Sequence, residues 1–230
     1  MMPPPDIARE ASYWQAQAGA APNAGATVLP ASADFVIVGG GLAGISTARS
    51  ILAARPDASV VVLESDFVGY GASGRNGGLL SPLPAPVWLL TSARGNDAAW
   101  ALKALNARVH ALGRKLQTQT TAAEASETQL QLHAMGRFMD AGLAQVARVL
   151  DGAGIAYDVR RDVDRGGRRT LALPTYEVNP YALVRALADD ARVAGAIVCE
   201  RAPVASILQQ GAGARLHLQD ERTLDARCVV

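Results

Sequence analysis

The sequence predicts an α/β protein built on a parallel sheet, and three observations carry that expectation. A short apolar run, Phe35-Val36-Ile37-Val38, leads into a glycine-rich turn over residues 39–44. Helical composition follows over residues 43–54 and stops at Arg55-Pro56. A second β-branched run, Ser59-Val60-Val61-Val62-Leu63, then closes on Glu64. Apolar runs without alternation mark strands buried on both faces. Strand, turn, helix and strand in this order make a βαβ unit, whose crossover is right-handed and whose strands are parallel.

Composition narrows the function classes. The chain has 230 residues, half of them hydrophobic and 19% charged, which suits a folded core and not a disordered chain. Twenty-two basic residues face twenty-one acidic ones, a net charge of +1 that gives no reason to expect nucleic acid as a partner. Only Cys199 and Cys228 are present, so no disulfide framework is expected and a reducing compartment is favoured. Residues 1–10 are Pro-rich and carry Asp6 and Glu10, unlike a secretory leader. The longest apolar stretch, residues 79–90, is interrupted by Ser81, Pro82, Pro84 and Pro86 and is too short to span a bilayer. The expectation is a cytoplasmic protein without a transmembrane segment.

Further elements come in order along the chain. A short helix is expected over residues 7–17, then an Ala/Gly/Pro-rich linker. After Glu64 comes a second glycine-dense loop, Gly69-Tyr70-Gly71-Ala72-Ser73-Gly74-Arg75-Asn76-Gly77-Gly78. Residues 98–116 look helical, 118–127 are polar and weakly patterned, 130–138 read as a strand, and 139–150 as a helix stopped by Gly152-Ala153-Gly154. The charged, Gly-containing stretch 160–169 reads as a loop or hairpin tip. Asn179-Pro180 places a capping residue before a proline at the first helical position, for a helix running to about Val193 and ended by Gly195. Short strands are expected over 196–200, 204–208, 215–218 and 227–230.

The first glycine turn fits G-x-G-x-x-G between a strand and a helix. In that role Gly39 permits the tight turn, Gly41 clears the approach of a pyrophosphate, and Gly44 lets helix and strand pack closely. The helix N-terminus supplies free N–H groups and positive potential to the phosphates. Glu64 stands twenty residues after Gly44, where an acid hydrogen-bonds an adenosine ribose and repels a 2′-phosphate. These features point to a Rossmann-like dinucleotide site. Both FAD and NAD satisfy them; the second glycine loop in place of a further crossover helix favours a flavin.

Residues 34–44, Val62-Leu63-Glu64 and the loop 69–78 resemble the FAD-dependent amine and amino-acid oxidoreductases, the group of D-amino-acid oxidase, glycine oxidase and sarcosine oxidase. Tyr13-Trp14 near the start is similar to the gamma-glutamylputrescine oxidase-type branch, and Val178-Asn179-Pro180 with residues 183–188, followed by Gly195, Glu200 and Val204, looks like that family's second FAD-contacting segment. The resemblance implies a discontinuous Rossmann-like FAD-binding domain in residues 34–92 and 175–230. It also implies part of an α+β substrate domain in 93–174, with 1–33 an N-terminal extension. Leu42 and Ala43 would hold the pyrophosphate by backbone N–H, Glu64 the ribose, and Ser65 would lie beside the adenine. Ala72 and Ser73 would touch phosphate or ribityl chain, Gly77, Gly78 and Leu79 would line the flavin ring, and Val204 would meet adenine through its backbone. Asn76 stands near the place where some relatives carry a histidine bonded to the flavin, so noncovalent FAD is implied.

The implied chemistry is oxidation of the C–N bond of a small amine or amino acid by hydride transfer to flavin, with oxygen or an electron carrier as acceptor. Arg75, near the reduced flavin's charge, and Asn76, on the ring, are the candidate catalytic residues. The chain stops in a strand where the family continues, so a truncated FAD domain is expected, with the remainder of the polypeptide supplying most substrate contacts. A non-catalytic dinucleotide-binding fragment and an NAD-binding dehydrogenase module are the alternatives. His110, His133 and His217 share no metal spacing, and no metal site is expected. Both cysteines are expected to be buried in strands, and the Arg cluster 160–169 to be a solvated loop.

Overall fold

A computed structural model describes residues 11–18, 27–83, 96–119, 124–162 and 166–230. The expected helix over residues 7–17 therefore falls partly outside the described residues. So does the Pro-interrupted segment, beyond residue 83. The elements are α1 (Tyr13–Gln17), β1 (Ser32–Val38), α2 (Leu42–Ala54), β2 (Val60–Leu63), a 3₁₀ turn (Ala72–Gly74), β3 (Leu79–Leu80) and α3 (Asn96–Gln119). They continue with β4 (Ser126–His133), α4 (Arg137–Ala153), β5 (Asp158–Asp162), β6 (Arg168–Glu177) and α5 (Pro180–Val193). The last four are β7 (Ile197–Cys199), β8 (Val204–Gln210), β9 (Gly213–Leu218) and β10 (Thr223–Val229). They fall into two compact units, one from Met1–Gly77 with Asn179–Val230 and one from Gly78–Val178.

The first unit holds a six-stranded sheet in the order β7-β2-β1-β10-β9-β8. β1 pairs in parallel with β2 and with β10, and β2 in parallel with β7, whereas β10, β9 and β8 form an antiparallel meander. The expected parallel βαβ unit is present. Strand alternation explains why β2 is apolar throughout. Val60 and Val62 pack with Ile45, Ala48 and Leu52 of α2 and Val184 and Ala188 of α5. Val61 and Leu63 turn to the other face, against Leu216, Leu218 and Leu224 of the meander. Each such side chain, removed from water, contributes about 1.5–3 kcal/mol.

α5 starts as its sequence predicts: the Asn179 side chain accepts a hydrogen bond from the Ala182 N–H at 3.0 Å, and Pro180 occupies the first turn. The fourth strand is longer than expected, because register with β1 carries pairing back to Asp225. Cys199 is buried as expected, and burial pushes its thiol pKa up. Cys228 is exposed, against expectation, because it lies on a stretch of β10 whose side chains meet solvent.

In the second unit β6 is central, pairing antiparallel with β3, β4 and β5. The stretch expected as a strand over 130–138 divides: β4 begins earlier, at Ser126, and ends at His133, while Phe138 lies in α4 and is 91% exposed. The apolar residues of β4 mislead here, because its pairing with β6 recruits the polar Ser126 and Glu127. Residues 158–162 and 168–177 form the hairpin whose tip the charged stretch suggested. Gly113 sits inside α3 because a Cβ there would overlap the Tyr176 ring. Among the described residues no helix is long and apolar enough to cross a membrane.

Candidate functional site

The C-terminal ends of β1 and β2, the start of α2 and the loop 64–77 meet in the first unit, where parallel sheets carry their ligands. β1 ends at Val38, and Gly39 turns the chain at φ +112°, a conformation that excludes an ordinary side chain. The Gly39 N–H donates to the Leu63 carbonyl at 2.8 Å, which ties the turn to β2. A Cβ on Gly44 would overlap the Gly39 carbonyl oxygen, so helix and turn touch backbone to backbone. Gly41 caps α2 without a side chain, leaving N–H groups of the first turn to partners outside the helix.

One of these amides, and one just before the cap, have side-chain partners. The Leu42 N–H donates to Ser73 Oγ at 2.9 Å, and a Cβ on Gly41 would stand 2.8 Å from the same hydroxyl. The Gly40 N–H donates to Glu64 Oε2 at 2.6 Å. Glu64 Oε1 accepts from the Ser65 hydroxyl at 3.0 Å and the Asp66 N–H at 2.9 Å. Glu64 thus lies on the glycine turn, with the oxygen Oε1 doubly used and Oε2 singly. Ala43 is exposed on the first turn of α2.

The second loop repeats the trick of the first. Gly69 takes φ +80°, and a Cβ on Gly74 would overlap the Gly69 carbonyl oxygen, as Gly44 would overlap Gly39. Gly71 and Gly77 have open space where a Cβ would stand. Arg75 Nε donates to the Tyr70 carbonyl at 2.6 Å, with the guanidinium 4.9 Å over the Tyr70 ring. The Asn76 amide donates to the Ala72 and Ser73 carbonyls at 3.2 and 3.1 Å. Ala72, Ser73, Arg75, Asn76 and Gly77 therefore share one loop with Leu42 at its rim, whereas Gly78 and Leu79 belong to the other unit. Val204 opens β8, next to a bulge at its register with β9.

Two sets of residues make contacts that no local pattern in the sequence assigns. Ser12, Trp14 and Gln15 of the α1 segment donate to carbonyls of the second loop. The helix expected over residues 7–17 and the Ser12…Gln15 capping-box spacing mark that segment as structured, but not what it holds. The other is the nearly buried Glu200, whose Oε1 accepts from the Val68 N–H at 2.7 Å and pairs with Arg185 at 3.0 Å. Arg201 N–H to Asp66 and Ala202 N–H to Glu64 complete the lacing of residues 64–68 to 199–202. No local pattern announces a pairing that spans more than a hundred residues.

A cleft of about 810 Å³ lies elsewhere, at the N-terminal half of β1 and the stretch of β10 paired with it, lined by Asp34, Arg55, Asp57, Asp225 and Arg227 among others. It is at the end of the parallel strands opposite the glycine turn. Among the described residues no three of His, Cys, Asp and Glu come together to hold a metal ion.

The glycine turn fits a dinucleotide. Open space beside Gly39, Gly71 and Gly77 lets a ligand reach backbone, and at Gly41 the Ser73 hydroxyl faces the same approach. The start of α2 supplies N–H donors for phosphates, and Glu64 supplies an acceptor for a ribose hydroxyl.

Comparison with known proteins agrees. The profile of the family described as FAD dependent oxidoreductase (DAO) matches residues 34–230. The gamma-glutamylputrescine oxidoreductase of Escherichia coli (strain K12) is 42% identical over 67 residues, covering 29% of this chain and 15% of that protein. Glycine oxidase from Geobacillus kaustophilus superposes with a TM-score of 0.69 at 23% identity, over 87% of this chain and 55% of that one. L-alpha-glycerophosphate oxidase from Mycoplasma pneumoniae, solved with FAD bound, gives 0.64 at 16% identity, over 86% and 53%. The chain thus spans about half the length of these solved proteins. The nicotinamide-dependent alternative falls to the family match, which is with flavin enzymes. Glycine turn, acid-ended second strand and second glycine loop have their counterpart in one profile spanning all three, and the chain belongs to the FAD-dependent oxidoreductase family.

Proposed function

We propose that this chain binds FAD noncovalently and serves an enzyme that oxidises the C–N bond of a small amine or amino acid. The observation that carries the reading is the convergence of two glycine loops on the first turn of α2, through the Leu42–Ser73 hydrogen bond. The amine class is supported by the 42% identity to an oxidoreductase of gamma-glutamylputrescine. In this reading residues 34–92 and 175–230 form the FAD domain, and 93–174 begin the substrate domain.

Each residue then has a task. The N–H groups of Leu42 and Ala43 bind the pyrophosphate, while Gly39, Gly41 and Gly44 let it approach. The Leu42 N–H now donates to Ser73 Oγ; when a phosphate oxygen takes that N–H, the Ser73 hydroxyl is released to donate to the phosphate as well. The ribose takes Glu64 Oε2, because Oε1 already accepts two donors and a carboxylate oxygen offers about two lone-pair sites. Ser65 and the Val204 backbone flank the adenine, Ala72 contacts the ribityl chain, and Gly77 lines the ring. Arg75 supplies the cation nearest the reduced flavin's charge, and Asn76 hydrogen-bonds the ring by giving up one of its bonds to the Ala72 and Ser73 carbonyls. When bound, FAD would accept a hydride from the carbon beside the amine nitrogen and pass the electrons to oxygen or a carrier. A cytoplasmic setting accords with two free cysteines, Cys199 and Cys228.

The test is the visible spectrum of the purified chain after incubation with FAD and removal of excess. The two absorption bands of an oxidised flavin are expected, with the flavin released into the supernatant on acid precipitation. A colourless protein overturns FAD binding, and flavin retained in the pellet overturns noncovalent attachment. Anaerobic addition of small amines or amino acids to the flavin-loaded protein, extended to the length of its relatives, is expected to bleach the bands. Bleaching by alcohols alone would overturn the amine assignment. Glu64→Gln is expected to weaken FAD binding by about 1–2 kcal/mol, the scale of a charge-assisted hydrogen bond.

A further inference from the structure

We infer that the α1 segment is a clamp that fixes the second glycine loop, with Gln15 as its positioning residue; the inference rests on the reading of that loop as part of the FAD site. α1 has five residues, too short to be stable alone. No residue of it joins the three hydrophobic clusters found among the described residues. Its polar groups go instead to the loop, from across more than fifty residues of sequence. The Gln15 amide, 5% exposed, donates to the Gly69 and Tyr70 carbonyls at 3.1 and 3.2 Å. The Ser12 hydroxyl donates to the Gly74 carbonyl at 2.9 Å, and the Trp14 indole N–H to the Asn76 carbonyl at 2.8 Å.

The capping box makes these donors rigid. Gln15 Oε1 accepts from the Ser12 N–H at 2.9 Å, and Ser12 Oγ accepts from the Gln15 N–H at 3.2 Å. Each capping side chain therefore carries one bond within the cap and at least one to the loop. The loop needs them. Its backbone bonds among the described residues are few: Gly69 N–H to Gly40 and Tyr70 N–H to Phe67 at its start, then one 3₁₀ turn through Gly74 N–H to Gly71 and Arg75 N–H to Ala72. The Tyr70 carbonyl accepts from both Gln15 Nε2 and Arg75 Nε, so Gln15 also fixes the anchor on which the Arg75 side chain rests.

Hydrogen exchange and FAD titration of the 230-residue chain test the clamp. Gln15→Glu keeps the oxygen that accepts from Ser12 and replaces the loop donors by a carboxylate oxygen. Trp14→Phe keeps an aromatic ring and removes one N–H. Amides of residues 69–76 are expected to exchange faster in both variants, while those of β1 and β2 keep wild-type rates. FAD binding is expected to weaken about tenfold in Gln15→Glu and a few-fold in Trp14→Phe, with altered shape of the bound flavin's visible bands. Wild-type exchange across residues 69–76 in Trp14→Phe and in any folded Gln15→Glu overturns the clamp, whatever happens to FAD. Faster loop exchange with unchanged FAD affinity overturns its positioning role. Failure of the wild-type chain to take up FAD overturns the functional reading instead, and is distinguished because exchange is measured without FAD.

Discussion

The turn at residues 39–44 and the loop at 69–78 solve one steric problem in two ways. In each, a glycine with positive φ is followed five residues later by a glycine packed on its carbonyl oxygen. The first turn then enters α2, a helix of 13 residues packed on the sheet core. The second enters a 3₁₀ turn of three residues, and its carbonyls are held by Ser12, Trp14 and Gln15. A backbone shape that leads into a packed helix is stabilised by that helix. One that leads nowhere must be held from outside.

Gly44→Ala should break the first turn most severely. Its Cβ would overlap the Gly39 carbonyl oxygen, which as backbone cannot swing aside, and press on Ile37, so a loss of about 3 kcal/mol in denaturant unfolding is expected. Gly74→Ala meets the same kind of overlap in the externally held loop, and should cost FAD affinity more than global stability. Equal losses of stability for the two would erase the difference between turn and loop. Next comes Arg185→Ala, which removes the partner of Glu200 just before the second loop. With 4% of the Glu200 side chain exposed and the Val68 N–H still bonded, about 2–3 kcal/mol is expected by the same measurement.

Asn179→Ala sharpens the contrast further, since α5 supplies Tyr181 and Val184 against Gly69. Loss of that cap should cost about 1 kcal/mol in thermal or denaturant unfolding. At the far end of β1, Asp34 provides a control that touches neither loop. The Ser59 backbone N–H, with help from the Ser59 hydroxyl and Arg227, lowers its pKa from 3.8 to about 2. A carboxyl depressed in the fold stabilises above its unfolded pKa and loses that contribution as the pH falls through the folded one. Asp34→Asn should therefore lower Tm at neutral pH, and the difference should vanish between about pH 4 and 2. Smallest of all, Gly71→Ala meets no atom within 4 Å and should change stability by less than about 0.5 kcal/mol.

The same contrast explains what can be read in the sequence. Residues 34–64 are legible because each feature is local: uninterrupted apolar runs, glycines at fixed spacing, and an acid at a strand end. The Asn179-Pro180 start of α5 is legible for the same reason. The second loop is recognisable by its composition, but nothing within it shows that Gln15 and Glu200 hold it, since side-chain partners at long range leave no periodic trace. β4 shows the opposite error. Leu130 and Leu132 suggest a strand with the wrong limits, because strand ends are set by the partner β6 and not by the apolar residues inside.

The place of β10 in the sheet bears on how the chain is made. β1 finds one neighbour nearby in β2, but its other neighbour lies near residue 230, and Arg227 reaches Asp34 across 193 positions. As the polypeptide leaves the ribosome, β1 and β2 are available early while one flank of β1 stays without its ladder. An unpaired strand edge invites foreign strands, and contacts of such separation form slowly. Until Thr223–Val229 emerges, this flank of β1 thus stays open to misassociation.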